Sequence, residues 1–257
     1  MSDPAVFQFL GFGAGFWLVA ALAVFITGVS KSGFAGGVGV VAVPLMSLFV
    51  DPRQAAAIML PLLICMDFFS VRIWFGKQDW GQLRLLFPAT VVGVLVGYLL
   101  FDWLDADVIR VLVGLLAILF ALWGLTQIRV AGETRSGHRG WGRFCGVLTG
   151  FTSFVAHAGG PPLSLYMLPL RLPRETYLAT VVILMTGVNL VKLVPYAALG
   201  QLRTDNLTTA LVLMPLAFLG VKLGARLQAK INDRLFYRLI YGALILIGIK
   251  LLYDALT

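Results

Sequence analysis

Residues 87–97 read Phe-Pro-Ala-Thr-Val-Val-Gly-Val-Leu-Val-Gly, and residues 214–224 read Met-Pro-Leu-Ala-Phe-Leu-Gly-Val-Lys-Leu-Gly. Pro88, Gly93 and Gly97 in the first stretch answer Pro215, Gly220 and Gly224 in the second, each 127 residues further on. Upstream, Pro52-Arg53 answers Pro173-Arg174 at an offset of 121. Each of these pairs follows a glycine-rich stretch, Gly33 to Gly39 in one half and Gly159-Gly160 in the other. Proline and glycine held at matching places inside apolar runs, and met twice along one chain, mark two copies of a single structural unit.

The composition says where such units live. The 257 residues are 60% hydrophobic and 12% charged, with a mean hydropathy of +0.92. Residues 4–30, 32–50, 85–101, 111–128, 144–170, 176–191 and 206–221 contain no Asp, Glu, Lys or Arg. Runs of this kind match the roughly 20 residues that cross a hydrocarbon core, and backbone groups facing lipid must be paired within a helix. The chain therefore reads as an all-α integral membrane protein. Asp3 is the only charged side chain before Lys31, so the first run reads as a retained segment and not as a signal peptide. A net charge of +8 reads as cytoplasmic loop charge and not as a nucleic-acid surface. Cys65 and Cys145 form neither a disulfide framework nor a CxxC metal motif, and no metal or cofactor is expected.

Ten apolar segments follow, at 14–30, 38–50, 55–75, 84–102, 108–127, 144–157, 161–171, 176–199, 206–228 and 234–253. They divide into a first repeat over 1–128, a cytoplasmic connection over 129–143 and a second repeat over 144–257. Arg72, Lys77 and Arg84, then Arg129, Arg135, Arg139 and Arg143, then Lys222, Arg226, Lys230 and Arg234 mark three cytoplasmic regions. Asp102, Asp105 and Asp107 outweigh Arg110 in a loop that should face outside, and the loop with Arg203 and Asp205 is nearly neutral. Segment 4 then runs inside to outside and segment 9 outside to inside. The halves are expected to be inverted, with both termini outside a bacterial-type cytoplasmic membrane. Five crossings per half satisfy this, and so does a re-entrant hairpin followed by three crossings. The expectation is that the first two segments of each half are short, broken or re-entrant around their glycine junctions. Trp74, Trp80, Trp103, Trp123 and Trp141 fall near segment ends and read as interfacial anchors.

The first junction runs Lys31-Ser32-Gly33-Phe34-Ala35-Gly36-Gly37-Val38-Gly39, and the second runs Thr152-Ser153-Phe154-Val155-Ala156-His157-Ala158-Gly159-Gly160-Pro161-Pro162. Glycine permits positive φ and close backbone approach, and proline suits a first helical turn. Each junction reads as a helix interruption followed by a new N-terminus, whose partial positive charge suits an anion. Close packing of helices through small residues explains the same glycines without a ligand. Two matching junctions favour the ligand.

With these motifs in place, the chain resembles the sulfite exporter TauE/SafE family. The resemblance rests on the glycine cluster followed by Val43-Pro44-Leu45, Pro52 and Ala55-Ala56-Ala57, and on Gly150, Gly159-Gly160-Pro161-Pro162 and Pro173-Arg174-Glu175 in the second half. It covers nearly the whole chain. It implies a secondary transporter of sulfite, organosulfonates or related sulfur-containing anions. His157-Ala158 stands where the first junction has Gly36-Gly37, which leaves the preferred anion open.

Ionisable groups inside a span are functional candidates. Asp67 is a candidate proton-coupling carboxylate; the plain alternative is a static pair with Lys31, Arg72 or another base. Asn189 occupies nearly the equivalent place in the second half. Lys31, Ser32, Gly33, Gly36, Gly37, Gly39, Ser153, His157, Gly159, Gly160 and Asn189 are the expected substrate-binding residues. His157 can also titrate, and is the second coupling candidate. Lys31 and Lys192, the latter three residues before Pro195, could each balance substrate charge; for Lys192, snorkelling to the outer interface is the preferred reading. No Walker A, HExxH or GxSxG motif is present, so the chain is not read as an enzyme. The leading function is secondary anion transport by alternating access. A thiol–disulfide electron carrier and a passive anion channel are the alternatives. The expected partners are a small anion and membrane lipids, with no nucleic acid, and monomer and homodimer both remain open.

Overall fold

A computed structural model describes residues 8–9, 11–33, 39–101, 103, 105–127, 138–227 and 233–256. Apart from a two-residue hairpin, Gln8–Phe9 with Phe12–Gly13, the described chain is helical. The first half holds α1 (Ala14–Gly33), α2 (Ala42–Met46), α3 (Pro52–Trp74), α4 (Trp80–Phe101) and α5 (Ala106–Gln127). The second holds α6 (Arg139–Ala156), α7 (Gly160–Met167), α8 (Arg174–Ala198), α9 (Thr204–Leu227) and α10 (Asp233–Leu256). Among the described residues, six helices (α1, α3, α4, α5, α8 and α9) are long and apolar enough to cross a bilayer.

The structure shortens only the second segment of each half. With five residues, α2 is about 8 Å long and cannot cross a hydrocarbon core of about 30 Å. The eight residues of α7 also fall short, even with the 3-10 turn Leu168–Leu170 that continues them. By contrast, α1 has 20 residues and α6 has 18. Each short helix returns towards the end of the bundle where its long partner began. Gly15, near the start of α1, lies against the Phe49 ring beyond α2, and Gly142, near the start of α6, lies against the Tyr166 ring of α7. The α6 helix starts at Arg139, five residues before the apolar run, because Arg139 and Arg143 carry it past the hydrocarbon into the polar interface.

Side-chain contacts fix the helix directions. Asp67 and the backbone N–H of Asp79 meet Asn189 and Thr180 respectively, so α3 and α8 are antiparallel. The α3–α9 pair is parallel, since Gln54 bonds Asn206 and Phe69 packs on Phe218. Gly114 faces Gly248 and Leu251 while Gly248 faces Ile118, which makes α5 and α10 antiparallel. In the parallel α4–α6 pair, Gly146 meets Ala89, Gly150 meets Thr90 and Gly97 meets Phe154. The tightest pairings run between halves. A Cβ on Gly93 or Gly150 would overlap the carbonyl oxygen of Val147 or Thr90, and one on Gly220 would lie 2.7 Å from the Phe25 carbonyl of α1. In lipid, where apolar side chains gain little by meeting one another, such backbone approach supplies packing energy.

At the centre stands α3. Asp51 caps it, its carboxylate accepting from Arg53 N–H at 2.7 Å, and Pro52 takes the first turn. Its run Ala55 to Leu63 is the middle of the largest apolar cluster, which draws on both halves. A smaller cluster of Leu83, Leu86, Cys145, Leu163, Tyr166 and Leu184 closes the α4–α6–α8 end. Trp74, Trp80 and Trp141 sit near helix ends, and Trp103 is 86% exposed between α4 and α5, as interfacial anchors require.

Gly150→Ala is expected to destabilise the fold by about 1–3 kcal/mol or more through overpacking. Gly242→Ala, with open space at its Cβ, should be neutral or slightly stabilising. Thermal unfolding in detergent compares the two; equal melting temperatures would refute the α4–α6 contact.

Candidate functional site

The α6 helix ends inside the protein. His157 takes the left-handed conformation, φ 51° and ψ 28°, and its N–H donates to the Ser153 carbonyl while Ala158 N–H donates to Thr152 O, both at 3.1 Å. The first of these is the bond of an αL cap, a position helices usually give to glycine. A histidine there costs on the order of 1 kcal/mol relative to an unstrained conformation. The strain aims the ring into the core: Nε2 lies 2.8 Å from Ala56 O on α3, and Nδ1 lies 2.7 Å from Lys192 Nζ on α8. A carbonyl only accepts, so Nε2 carries the proton in this arrangement and Nδ1 accepts from lysine.

Lys192 is 0% exposed. Its ammonium donates to Ser153 O and Ser153 Oγ, both at 3.0 Å, and to His157 Nδ1. It does not snorkel. The C-terminal end of α6 reaches the same depth and takes the charge, as a helix C-terminus does. Tyr196, one turn further along α8, donates its hydroxyl to Phe154 O at 2.7 Å, and its ring lies offset and near-parallel to that of His157, with centroids 6.2 Å apart.

One turn before Lys192 on α8, Asn189 Nδ2 donates to Asp67 Oδ2 at 2.7 Å. The other Asp67 oxygen takes Lys31, from the last turn of α1, in a salt bridge and hydrogen bond. Lys31 also donates to Leu63 O at 3.1 Å. Asp67 is 2% exposed, so both oxygens are satisfied without water. Of the two readings of Asp67, the pair with Lys31 is present.

The two triads, Lys31–Asp67–Asn189 and Lys192–Ser153–His157, are joined through α8. Their positions correspond across the halves: Lys31 with Ser153, Asp67 with Asn189 and Ser70 with Lys192 are each 122 residues apart. Ser70, also buried, donates to Met66 O at 3.0 Å within α3. Equivalent places are polar in both halves, but their charges differ.

The structure thus gathers Lys31, Asp67, Ser153, His157 and Asn189. Ser32 and Gly33 end α1, and Gly39 opens the 3-10 turn before α2; Gly36 and Gly37 lie outside the described residues. Gly159 and Gly160 are buried, and a Cβ on Gly159 would lie 2.9 Å from Thr149 O. The α7 N-terminus offers fewer donors than a plain helix start, because Pro161 and Pro162 lack N–H groups. Lys192, expected by preference at the outer interface, and Tyr196, which the sequence did not single out, lie in the same cluster. Thr149, fully buried beside Gly159, has a hydroxyl with no hydrogen-bond partner among the described residues. Cys65 and Cys145 are free thiols on α3 and α6.

Asp67→Asn should strand the Lys31 ammonium and cost about 3 kcal/mol. The double variant Lys31→Met/Asp67→Asn should recover most of that. Unfolding of the four proteins in mixed micelles gives the coupling energy; additive costs would rule the pair out.

The sulfite exporter TauE/SafE family matches the chain over residues 19–251. The probable membrane transporter protein YfcA of Escherichia coli K12 is 26% identical, with 93% of this chain and 89% of that protein covered, and the proteins of the same name in the O6:H1 and O157:H7 strains match equally. No solved structure gives a significant match. A multi-pass helical chain with a buried polar core, matched from its first long helix to its last, belongs to the sulfite exporter TauE/SafE family of membrane transporters.

Proposed function

We propose that this chain is a secondary transporter that carries a sulfur-containing anion, sulfite or an organosulfonate, across the cytoplasmic membrane by alternating access. The charge balance at the centre of the bundle carries the reading. One fully buried lysine and one partly buried lysine face one carboxylate: Asp67 answers Lys31, while Lys192 meets only neutral acceptors. The carbonyl end of α6 supplies roughly half a unit of negative charge. An uncompensated buried charge costs several kcal/mol, and a mobile anion removes that cost whenever it binds. Lys192, the Ser153 hydroxyl, the second N–H of Asn189 and the Thr149 hydroxyl are the donors for its oxygens. Sulfur enters from the family, whose name is that of a sulfite exporter.

The same reading takes residues 1–128 and 144–257 as inverted repeats, joined through 129–143, with both termini outside. Helix directions support it. The α3 and α8 helices oppose each other, as do α5 and α10; α9 runs with α3 and therefore against α4, its counterpart. Contacts between halves come in exchanged pairs, α1 on α9 and α4 on α6. Sliding one set of pairs past the other would open the centre to alternate sides. Proton coupling through Asp67 follows: protonating it releases Lys31 and changes the central charge by one. His157, sharing a proton position with Lys192, is the second coupling group.

Proteoliposome uptake of sulfite, sulfate, an alkyl sulfonate, an aryl sulfonate and a carboxylate, with and without a pH gradient, tests the reading. Gradient-driven uptake of a sulfur oxyanion is the expected result. Lys192→Met should reduce it by at least about a hundredfold, the loss of one strong charge-assisted contact, while the protein stays folded by size exclusion. Cys65→Ser/Cys145→Ser should transport as the wild type does. Loss of activity in that double variant would favour the thiol carrier, and anion flux indifferent to any gradient would favour a channel.

A further inference from the structure

We propose that the flank formed by α4, α6 and α8 holds one anionic phospholipid, its phosphate among Arg84, Arg139 and Arg143 and an acyl chain in the groove between α4 and α8. Two adjoining cavities carry this. The first, about 380 Å³, lies where α4 and α6 begin and is lined by the three arginines with Gln82 and Tyr166. The second, about 450 Å³, is apolar, lined by Trp80, Phe87, Pro88, Ile183 and Gly187. Arg84 lines both.

The polar cavity has donors and lacks an acceptor. Among the described residues, none of the three guanidinium groups makes an ion pair or hydrogen bond. Asp79, the neighbouring carboxylate, is engaged in capping α4, accepting from Gly81 and Gln82 N–H at 2.8 and 3.1 Å. Gln82 uses its carbonyl oxygen to accept the Tyr166 hydroxyl at 3.0 Å, which leaves its amide N–H groups to donate. The start of α6 adds to the imbalance. His138 provides no side-chain cap, the first turn has no acid, and Arg139 and Arg143 place positive charge at the positive end of the helix. A phosphate reverses each of these penalties together.

The apolar groove selects a lipid over a soluble anion. Gly187 gives it depth, because a Cβ there would lie 2.6 Å from the Phe87 ring, and Trp80 stands half-exposed at its rim. Charged pocket and apolar groove follow one another as headgroup and tail do, at helix ends where headgroups lie. The orientation proposed above names the leaflet as cytoplasmic; the site itself does not depend on that reading or on the transported anion.

Native mass spectrometry of the detergent-purified chain, titrated with phosphatidylglycerol, phosphatidylcholine or glycerol phosphate, tests this. One tightly held phosphatidylglycerol is expected. Binding should weaken about tenfold or more in Arg84→Gln/Arg139→Gln/Arg143→Gln and stay unchanged in Lys77→Gln, which removes an exposed charge outside the cavity. All four positions are exposed, so folding should persist, and a melting curve checks it. Equal binding of the two lipids, unchanged binding in the triple variant, or glycerol phosphate binding as tightly as the whole lipid would overturn the proposal.

Discussion

A helix that stops inside a protein core leaves its last carbonyls without water to turn to. The end of α6 at Ala156 sets that problem, and most of the polar core answers it. Ala158 N–H takes Thr152 O, His157 N–H and Lys192 share Ser153 O, and the Tyr196 hydroxyl takes Phe154 O. Several partners share the task, so the break, and the short α7 that turns back from it, does not rest on any one of them. Lys192 is therefore two things at once. It caps a broken helix, and it is the positive charge without a carboxylate. In the proposed function these two roles do not compete, because the break places the cation where the transported anion would meet it.

The two halves keep polar residues at matching places but not the same charges. Lys31 answers Ser153, Asp67 answers Asn189, and Ser70 answers Lys192. A second copy of the first half's set would hold two lysines and two carboxylates in all and would be neutral within itself. The second half instead has an amide at the carboxylate's place and carries its lysine at the place of Ser70, which leaves the first half balanced and the second positive. The shared scaffold supplies depth and direction, and the departures from symmetry supply the sign of the site.

Much of the fold was legible because lipid simplifies the code. Ten charge-free or nearly charge-free runs correspond to the ten helices among the described residues; the glycine and proline junctions point to two short segments in each half, and only α2 and α7 are short. Their folding back against α1 and α6 is seen in the Gly15–Phe49 and Gly142–Tyr166 contacts, which no local pattern announces. At the site, Asp67 and Asn189 stood out by their correspondence, and their hydrogen bond joins the two halves directly. Lys192 was misread for a physical reason. A lysine a few residues from a helix end normally reaches water, and only the incoming end of α6 seals this one off. Tyr196 was hidden likewise, an aromatic near a helix end that looks like an interfacial anchor until its hydroxyl is seen to serve a carbonyl of another helix.

The glycine contacts also impose an order of assembly. The α1 and α4 helices leave the ribosome well before α9 and α6, the partners their bare backbones fit. Until then those grooved faces meet only lipid, and the nascent first half waits in the membrane with its closest seams unfilled. A truncated chain ending after α5 would keep the helices of that half and yet lack the surfaces that hold α1 and α4 in place.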